Sequence, residues 1–429
     1  MSVNTISVVG LGYIGLPTAA MFASKGKNVI GVDVNQNAVD TINSGKIHIV
    51  EPELDVMVRK AVEGGFLKAV TSPEPADAFL IAVPTPFLPS VLEGEIPQPN
   101  LVYIQSAAQS IAKVLKKGDL VILESTSPVG TTEQMAKWMA EVRPDLTFPQ
   151  SQGEGADIMV AHCPERVLPG HVVKELVKND RVIGGMTERC SKAAIELYKI
   201  FVKAECVVTN ARTAEMAKLT ENSCRDVQIA FANELSIICD KLDINVWELI
   251  SLANRHPRIN ILNPGPGVGG HCIAVDPWFI ISKSPRESNL IHCARKVNDY
   301  KPQWVIDKVK LAVADLLSLY PTKTVNDITV ACFGLAFKAD IDDLRESPSL
   351  DITKAISELN MGKVLVVEPN IDMLPQNLTN IELVDAEQAL NTADILVLLV
   401  DHKEFKDLNV ASKCLVDTRG IWNKRAVGS

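Results

Sequence analysis

The sequence predicts an α/β protein in which two Rossmann-like, doubly wound domains are joined by a central helical domain with a long connecting helix. Near the N-terminus a β-branched strand runs through a glycine-rich turn into a helix, and a second alternation of strands and helices begins at Asp327. Between them, apolar residues recur at helical spacing over 214–241. Because alternating strands and helices favour parallel sheets, and because 429 residues are many for one core, we predict domains at 1–210, 211–310 and 311–429.

The first predicted strand, Thr5 to Val9, leads into the turn Gly10-Leu11-Gly12-Tyr13-Ile14-Gly15 and then a helix over Leu16 to Ser24. In a dinucleotide-binding turn the first glycine permits the tight turn, the second lets the backbone approach a pyrophosphate, and the third lets helix and strand pack closely. The turn therefore predicts a dinucleotide site. A tight glycine turn without a ligand is the alternative interpretation.

The second predicted strand, Asn28 to Val32, ends in Asp33. A carboxylate at this position can accept hydrogen bonds from an adenosine ribose and repels a 2′-phosphate. No arginine follows in Val34-Asn35-Gln36. These residues predict NAD as the cofactor rather than NADP.

Three further apolar runs predict strands at Ala78 to Val83, Leu120 to Leu123 and Ile158 to Ala161. Doubly wound sheets bind ligands in the loops that follow the carboxyl ends of their strands. Thr126 and Glu165 lie in such loops and are candidate active-site residues. The alternative is that they are turn-forming residues, with an exposed carboxylate at the second position.

The central region predicts a long helix over Ala214 to Lys241, with Thr213 as its N-cap, followed by helical pattern from Val246 to Ala253. Lys218 and Asn222 are four residues apart, so an ammonium and an amide project from the same side of the helix. They are candidates for a site that borders this face. A solvated surface lysine is the alternative interpretation of Lys218.

A proline- and glycine-rich loop over 263–270 precedes Cys272, and a carboxylate, Asp276, follows four residues later. This pattern is typical of a displayed nucleophilic thiol, which can hold a substrate covalently while a second group reacts with it. The alternative is a buried core cysteine, because cysteine is among the most buried residue types.

The C-terminal half predicts a second set of strands, at Ile328 to Phe333, Lys363 to Val367, Ile395 to Val400 and Cys414 to Val416. Its turn Gly334-Leu335-Ala336-Phe337-Lys338 resembles the first glycine turn, and Ser347 is a predicted N-cap with Pro348 at the first helical position. Arg345 and Arg419 lie in loops after strands, where they can bind phosphate or carboxylate groups. Solvated loop charges are the alternative.

Composition narrows the function classes further. Hydrophobic residues make up 47% and charged residues 22%, which is ordinary for a globular protein and unlike a disordered one. No apolar run approaches eighteen residues and no signal-peptide pattern opens the chain, so we expect a cytoplasmic protein without membrane spans. The net charge of -9 and the lack of basic runs argue against nucleic-acid binding. Nine cysteines without a CxxC pair predict neither a disulfide framework nor a metal site.

Taken in chain order, a set of motifs resembles the UDP-glucose/GDP-mannose dehydrogenase family over nearly the whole chain: Gly10 to Pro17, Glu124 to Gly130, Lys218 to Asn222, Gly269 to Cys272, and Phe333 to Ser349. The resemblance implies an NAD-binding first domain, a central domain with the catalytic cysteine loop and a UDP-sugar-binding third domain. It also implies oxidation of a sugar C6 hydroxyl to a carboxylate in two NAD-dependent steps, through a thiohemiacetal and a thioester on Cys272.

The same resemblance implies roles for the candidate residues. Lys218 and Asn222 would stabilise charge on the C6 oxygen, and Asp276 would position water and the lysine. Thr126 would help to hold that water, and Glu165 would be a general acid or base in thioester hydrolysis.

The residues implied to contact the cofactor are Gly10, Gly12, Tyr13, Ile14, Gly15, Asp33, Pro84, Thr85, Thr126 and Arg345. Those implied to contact the sugar nucleotide are Glu165, Arg166, Val167, Lys218, Asn222, Arg258, Gly269, Phe337, Lys338 and Arg419. One such arginine can come from a partner subunit in this family, so the subunit that supplies Arg258 stays open. The family's usual dimer, together with the long apolar central helix, implies a homodimer.

Family members that act on UDP-glucose usually carry a lysine just before the motif aspartate, whereas this chain has Val275 there, after His271. That form is similar to the N-acetylhexosamine branch. Residues 143–150, 254–258 and Ala274 further resemble enzymes of enterobacterial common antigen synthesis, which implies UDP-N-acetyl-D-mannosamine as substrate. UDP-N-acetylglucosamine and UDP-glucose remain alternative substrates. A single-hydride hydroxyacid dehydrogenase and a nucleotide sensor without catalysis are the alternatives from other classes.

Overall fold

The computed structural model describes residues 3–49, 51–89, 95–167, 170–270, 272–359, 362–375, 378, 380–410 and 413–422. The chain forms two compact units. The first comprises residues up to Glu221 together with Trp278–Pro285, and the second comprises Asn222–Pro277 together with the chain from Arg286 onward. These units divide the chain differently from the three predicted domains, whose boundaries stay predictions.

Within the described residues, eight strands of the first unit form one sheet in the order β3-β2-β1-β4-β5-β6-β7-β8. All neighbouring strands are parallel except β6 and β7, which are antiparallel. The strands are β1 (Thr5–Val9), β2 (Asn28–Val32), β3 (Leu67–Val70), β4 (Ala78–Ile81), β5 (Leu120–Leu123), β6 (Met159–His162), β7 (Arg181–Gly185) and β8 (Cys206–Asn210). The central strands β4 and β5 are buried along their whole length, because helices cover both faces of the sheet.

The helices of the first unit pack on the two faces of this sheet. They are α1 (Gly15–Ser24), α2 (Gln36–Asn43), α3 (Leu54–Glu63), α4 (Val102–Ala112), α5 (Thr131–Val142), α6 (Pro149–Gln152), α7 (Val172–Lys178) and α8 (Glu188–Tyr198). One apolar core joins α1, α3, α7 and α8 to one face, and a second core joins α4 and α5 to the other. The sheet is therefore doubly wound, as predicted.

In the second unit, five parallel strands of the described chain form a sheet in the order β11-β10-β9-β12-β13. They are β9 (Thr329–Phe333), β10 (Lys363–Val367), β11 (Ile381–Leu383), β12 (Ile395–Leu398) and β13 (Cys414–Asp417). Separate apolar cores cover the two faces of this sheet. The second doubly wound domain is thereby confirmed as well.

The remaining helices are α9 (Ala211–Lys241), α10 (Val246–Ala253), α11 (Asp276–Lys283), α12 (Asn289–Leu319), α13 (Pro348–Ser357) and α14 (Ala386–Thr392). The predicted long helix is confirmed as α9, which has 31 residues and contributes to both units. The prediction of Thr213 as N-cap is wrong, because α9 begins at Ala211 and Thr213 lies inside its first turn. The side chain of Asn210 accepts the hydrogen bond from the backbone N–H of Thr213 at 2.9 Å.

Local sequence signals account for several helix ends. Ser347 caps α13, with Pro348 at its first position as predicted, and Asn245 caps α10 by accepting from two backbone N–H groups. Both residue types offer a side-chain oxygen to donors that a helix start leaves without intrahelical partners.

Among the described helices, none has both the length and the apolar character needed to cross a bilayer. All nine cysteines are described and none forms a disulfide.

A buried carboxylate fixes the start of α5 to α9 within the first unit. Glu215 of α9 accepts hydrogen bonds from the backbone N–H groups of Gly130 and Thr132, at 2.6 and 2.7 Å, and from the Thr132 hydroxyl at 2.6 Å. A negative charge at this end of α5 is also favoured by the helix dipole. Glu215 therefore acts as a long-range N-cap that no local pattern in the sequence predicts.

We expect Glu215→Ala to destabilise the first unit by about 2 kcal/mol, because it leaves buried donors at the start of α5 without acceptors. Thermal or urea unfolding followed by circular dichroism measures the change. The matched control is Glu141→Ala at an exposed position of the same helix α5, for which a change within about 0.5 kcal/mol is expected. Equal destabilisation by both substitutions would contradict the capping role.

Candidate active site

The predicted dinucleotide turn has the geometry that such a turn requires. Gly10 has φ of +92°, and its N–H donates to the carbonyl of Val32 at 2.8 Å. A Cβ added at Gly15 would lie 1.8 Å from the Gly10 carbonyl oxygen, so no side chain fits where α1 meets the turn. By contrast, a Cβ at Gly12 would have no atom within 4 Å. The turn thus leaves open space at its second glycine, on the side that a pyrophosphate approaches.

The start of α1 fits an anionic group. No described side chain caps this helix, and its first turn contains no acidic residue. The backbone N–H groups and the positive end of the helix dipole therefore face no competing carboxylate of the same helix. Tyr13 and Ile14, which precede the helix, are half-buried. The turn and helix start thus fit the diphosphate of a dinucleotide.

Asp33 lies directly after β2, as predicted, and is half-buried. One carboxylate oxygen accepts from the N–H of Leu11 at 2.9 Å, and the other accepts from the N–H of Asn35 at 2.9 Å. Each carboxylate oxygen has two acceptor sites, so the same group can also accept from ribose hydroxyls. The position fits recognition of an unphosphorylated ribose.

The loops after β4 and β5 are joined at the predicted cofactor residues. The hydroxyl of Thr85 donates to the carbonyl of Thr126 at 2.6 Å, while the Ser125 hydroxyl donates to the carbonyl of Val83 at 2.8 Å. Pro84 is exposed between them. The structure thus brings Thr85 and Thr126 together at one edge of the sheet, where doubly wound folds bind ligands.

Glu165 follows β6 and lies close to a residue that sequence reasoning missed. Its Oε2 accepts from Nη2 of Arg181 at 2.6 Å, and its Oε1 accepts from the N–H of Arg166 at 2.7 Å. Both partners in the ion pair are buried, with 8% and 4% of their surfaces exposed. Arg181 opens β7 sixteen residues along the chain. Since β7 lies beside β6, only the sheet topology reveals this pair.

A second buried carboxylate lies beside the same guanidinium. Glu124 Oε1 is 3.8 Å from Arg181 Nη1 and accepts from the Tyr198 hydroxyl at 2.6 Å, whereas its Oε2 has no partner in the described residues. Burial raises the pKa of Glu124, the charge of Arg181 lowers it and the charge of Glu165 raises it, and together these effects bring the pKa to about 7. One guanidinium is thus shared by two carboxyl groups, of which Glu124 titrates near neutral pH.

The two residues that follow Glu165 in the chain, Arg166 and Val167, also have partners within the first unit. The Arg166 guanidinium pairs with the carboxylate of Glu221, with Nη2 and Oε1 2.7 Å apart, and Val167 packs on the apolar core of the first unit. Arg166 is therefore already paired in this structure. A phosphate at Arg166 would have to compete with Glu221 for the guanidinium.

Helix α9 carries both Lys218 and Asn222, and each is half-buried. Lys218 belongs to the first unit and Asn222 to the second. Within the second unit, Asn222 Nδ2 donates to Asp276 Oδ2 at 2.5 Å, and Asp276 is buried with 3% of its surface exposed. Two of the predicted catalytic residues are therefore in direct contact.

We call residues 265–276 the thiol loop. Cys272 is half-buried, and its carbonyl accepts from the N–H of Asp276 at 2.9 Å, which closes a turn just before α11. This contact places the thiol one turn ahead of the carboxylate that binds Asn222. His271, on which the resemblance to the N-acetylhexosamine branch partly rests, lies outside the described residues.

The glycines of the thiol loop are required by close packing rather than by flexibility. At Gly269 an added Cβ would lie 2.6 Å from the carbonyl oxygen of Glu346 and 2.7 Å from Cδ of Pro348. At Gly265 it would lie 2.6 Å from Nη1 of Arg419. At Gly269 these atoms belong to the backbone and to a proline ring, so a side chain there would separate the loop from the C-terminal sheet, whereas at Gly265 the end of the Arg419 side chain could move aside.

Two predicted sugar-nucleotide residues, Phe337 and Arg419, lie where the thiol loop packs against the C-terminal sheet. Phe337 is half-buried, and its Cβ would lie 2.9 Å from a Cβ at Gly269, whereas Lys338 is exposed. Arg419 pairs with Asp401, a partner that sequence reasoning missed, through an Nε–Oδ1 hydrogen bond of 2.8 Å. An arginine held in this way presents its remaining donors in a fixed direction.

Two other predicted binding residues, Arg345 and Arg258, have exposed side chains, unlike Arg419. Arg345 is exposed and forms a two-pronged ion pair with Asp343 two residues earlier, at 2.6 to 3.1 Å. Arg258 is also exposed, after the end of α10. The roles assigned to Arg345 in cofactor binding and to Arg258 in substrate binding stay predictions.

Family models match three successive parts of the chain. The NAD binding domain of the UDP-glucose/GDP-mannose dehydrogenase family matches residues 4–202, its central domain matches 212–300 and its UDP binding domain matches 331–424. The matched ranges include the dinucleotide turn, the long helix with the thiol loop, and the second sheet. NAD is confirmed as the cofactor predicted from Asp33.

Similar proteins and structures agree with these matches. A UDP-N-acetyl-D-mannosamine dehydrogenase of Yersinia pestis is 65% identical over 98% of this chain and 100% of its own length. An NDP-N-acetyl-D-galactosaminuronic acid dehydrogenase of Ralstonia nicotianae is 61% identical over 99% of this chain and 98% of its own length. The structure of a UDP-D-ManNAc dehydrogenase from Pyrococcus horikoshii superposes with a TM-score of 0.84 at 37% identity, covering 99% of this chain and 97% of that one.

We expect Asp33→Ala to raise the KM for NAD by about tenfold or more, because the cofactor ribose loses its acceptor and the N–H groups of Leu11 and Asn35 lose theirs. The KM for the second substrate should stay within about twofold. Steady-state NADH formation measures both constants. The matched control is Asp40→Ala at an exposed position of α2, which should change neither constant. An unchanged KM for NAD in the Asp33 variant would show that this carboxylate does not contact the cofactor.

Proposed function

Because the chain belongs to the UDP-glucose/GDP-mannose dehydrogenase family, we propose that it oxidises the C6 hydroxyl of UDP-N-acetyl-D-mannosamine to a carboxylate, with two NAD per sugar. The assignment of the substrate rests on the 65% identity, over 98% of the chain, to a UDP-N-acetyl-D-mannosamine dehydrogenase. The chain is an NAD-dependent oxidoreductase by family; the sugar and the covalent course of the reaction are the proposal.

The proposed chemistry centres on Cys272. NAD supplies the hydride acceptor for both oxidations. After the first, the thiolate of Cys272 attacks the C6 aldehyde carbon, so that a C–S bond forms and the carbonyl electron pair moves to the C6 oxygen. Loss of the remaining C6 hydrogen with its electron pair leaves a thioester. Water then adds to the thioester carbon, the C–S bond breaks, and the uronate leaves while Cys272 is restored.

The proposed charge stabilisation uses α9. The C6 oxygen is anionic as the alkoxide and the thiohemiacetal form, and donors aimed at it lower the barrier to both steps. Lys218 offers an ammonium and Asn222 an amide for this purpose. The contact between Asn222 and Asp276 supports the proposal, because the carboxylate fixes the orientation of the amide. Asp276 would also receive and release protons through Lys218 or water.

The proposed hydrolysis uses Glu165 as the group that activates water, with Thr126 helping to hold the water molecule. The hydrogen bond from Arg181 supports this role because it fixes the orientation of the Glu165 carboxylate, whose oxygens can still accept a hydrogen bond from water. Thr126 contributes its hydroxyl from the loop after β5, whose backbone is held by Thr85.

A specific observation favours a second candidate substrate. The relative at 61% identity over 99% of the chain is named for an NDP-N-acetyl-D-galactosaminuronic acid. Both named sugars are N-acetylated, so both relatives support the N-acetylhexosamine branch. A nucleotide-linked N-acetylgalactosamine is therefore the substrate to test beside the mannosamine compound, together with UDP-N-acetylglucosamine and UDP-glucose.

We also propose a homodimer that acts in the synthesis of a surface polysaccharide such as enterobacterial common antigen. Support for a partner subunit comes from α9 and the segment after it, where Phe231, Ile238, Leu242 and Ile244 leave 52%, 46%, 60% and 46% of their surfaces exposed. Apolar patches of this kind mark interaction surfaces. Arg258, exposed after α10, would then be able to reach a partner's site.

The substrate proposal predicts that UDP-N-acetyl-D-mannosamine gives the highest kcat/KM and yields two NADH per sugar. The assay follows NADH formation with UDP-N-acetylmannosamine, UDP-N-acetylglucosamine, UDP-N-acetylgalactosamine and UDP-glucose in separate reactions. A yield of one NADH per sugar would instead indicate a single-hydride dehydrogenase, and binding without NADH would indicate a sensor. A higher kcat/KM with UDP-glucose would overturn the assignment to the N-acetylhexosamine branch.

The thiol proposal predicts that Cys272→Ser abolishes net formation of the uronate, because the aldehyde is no longer carried to a thioester, while NAD and the sugar nucleotide still bind. Mass spectrometry of the product and single-turnover NADH absorbance measure this. Cys293→Ser, at an exposed cysteine of α12, is the matched control and should retain wild-type turnover. Uronate formation by Cys272→Ser at the wild-type rate would show that another group is the nucleophile.

A further inference from the structure

We infer that Glu368 and His402 form a buried brace that positions the segment Leu335–Asp340, and with it Phe337 and Lys338, against the sugar nucleotide. This inference rests on the substrate role proposed for Phe337 and Lys338. Neither Glu368 nor His402 was a candidate from the sequence. The two side chains lie 34 residues apart and meet through the hydrogen bond between His402 Nε2 and Glu368 Oε2, at 3.0 Å.

Glu368 holds the beginning of the segment. Its Oε2 accepts from the backbone N–H groups of Leu335 at 2.7 Å and Ala336 at 3.1 Å. Burial raises the pKa of this carboxyl, but the hydrogen bonds from His402, Leu335 and Ala336 outweigh burial and help to hold the pKa below its usual value. Glu368 is therefore an ionised acceptor, and its hydrogen bonds are charge-assisted.

His402 holds the end of the segment. Its Nδ1 accepts from the backbone N–H of Asp340 at 2.9 Å, and the amide of Asn370 lies 3.1 Å from the same nitrogen. Because a backbone N–H can only donate, Nδ1 must carry the lone pair, and the ring proton must sit on Nε2, where it is donated to Glu368. The contacts thus determine a neutral ring in one tautomer. The ring is fully buried.

The surroundings of His402 keep the ring in this orientation. The ring of Phe405 packs against it edge to face, with centroids 5.3 Å apart. The other charged groups nearby are Asp340, whose Oδ1 is 3.9 Å from Nδ1, and Glu404, whose carboxylate lies within 4.8 Å of that site. Asp340 itself accepts from the N–H of Lys403 at 3.0 Å, so the segment and the loop after β12 are joined at two points.

The braced segment borders the thiol loop. Phe337 lies between the two held ends of the segment, and its ring atoms lie 3.2 to 3.6 Å from a Cβ added at Gly270. The N–H of Gly270 in turn donates to the carbonyl of Glu346 at 3.3 Å. Movement of Phe337 would therefore change the surface on which the thiol loop packs, and the brace acts on both.

The two glycine turns of the molecule show how the brace differs from a ligand site. In each, the glycine N–H donates to a carbonyl at the end of the neighbouring strand, and the acidic residue after that strand accepts from the next N–H. Asp33 is half-buried in the first turn, whereas Glu368 is buried and occupied by His402 in the second. The carboxylate after the second strand of each sheet is thus predicted to bind a ribose in the first domain, and it binds the backbone of a loop in the second.

The test compares His402→Phe with His402→Asn and His402→Gln. Phenylalanine keeps a ring but forms neither hydrogen bond, asparagine keeps an acceptor near Nδ1, and glutamine keeps a donor near Nε2. We expect His402→Phe to raise the KM for UDP-N-acetyl-D-mannosamine by about tenfold, the effect of one to two lost hydrogen bonds, with the KM for NAD unchanged and kcat changed less than twofold. The asparagine variant should recover part of the loss.

Hydrogen exchange measures the brace independently of the substrate. The amides of Leu335, Ala336 and Asp340 should exchange at least about tenfold faster in His402→Phe and in Glu368→Gln. Glu382→Gln, at an exposed position of β11, is the matched control and should leave both exchange and KM unchanged.

The outcomes separate the two inferences. Unchanged exchange at these amides in folded His402→Phe and Glu368→Gln would overturn the brace. Faster exchange with an unchanged KM would overturn the substrate role proposed for Phe337 and Lys338. Faster exchange together with a raised KM for the sugar nucleotide alone would support both.

Discussion

The packing of the thiol loop against the C-terminal sheet depends on the absence of a side chain at Gly269. The backbone of Glu346 and the ring of Pro348 already occupy the position that a Cβ atom would take there. The loop is therefore held at van der Waals distance by atoms on the C-terminal side of the second unit. The thiol proposed as the nucleophile is thereby held in position relative to Phe337 and Arg419, and pre-organisation of this kind reduces the entropy lost when a substrate binds.

The two doubly wound sheets show that one backbone device can serve two purposes. Both place a glycine with φ near +90° after the first strand and an acidic residue after its neighbour, where the carboxylate accepts from the N–H that follows the glycine. The two turns differ in whether a side chain also binds the carboxylate. Asp33 accepts from backbone N–H groups and can accept from a ligand as well, whereas Glu368 accepts from His402 in addition to the backbone.

The sequence predicts the regular structure well and the ion pairs poorly, for physical reasons. Strands such as β2 and β10 have the predicted bounds because buried parallel strands are continuous apolar runs, and the Ser347 cap is predicted because capping acts within one turn. The N-cap of α9 was assigned to Thr213 instead of Asn210 because both residue types suit that position. Arg181 and Asp401 were missed because pairing across neighbouring strands depends on sheet topology, which no local pattern contains.

The buried charges around Arg181 constrain what Glu165 can do. Both of its oxygens already accept hydrogen bonds, from Arg181 and Arg166, and each can accept a further hydrogen bond from water. Glu124 is the carboxyl whose pKa is raised, mainly by burial, to about 7. When both are ionised, two buried negative charges share one guanidinium, which costs free energy. Protonation of Glu124 leaves Arg181 to pair with Glu165 alone, so the ion pair that orients Glu165 depends on the protonation state of a second carboxyl that lies in the loop after β5.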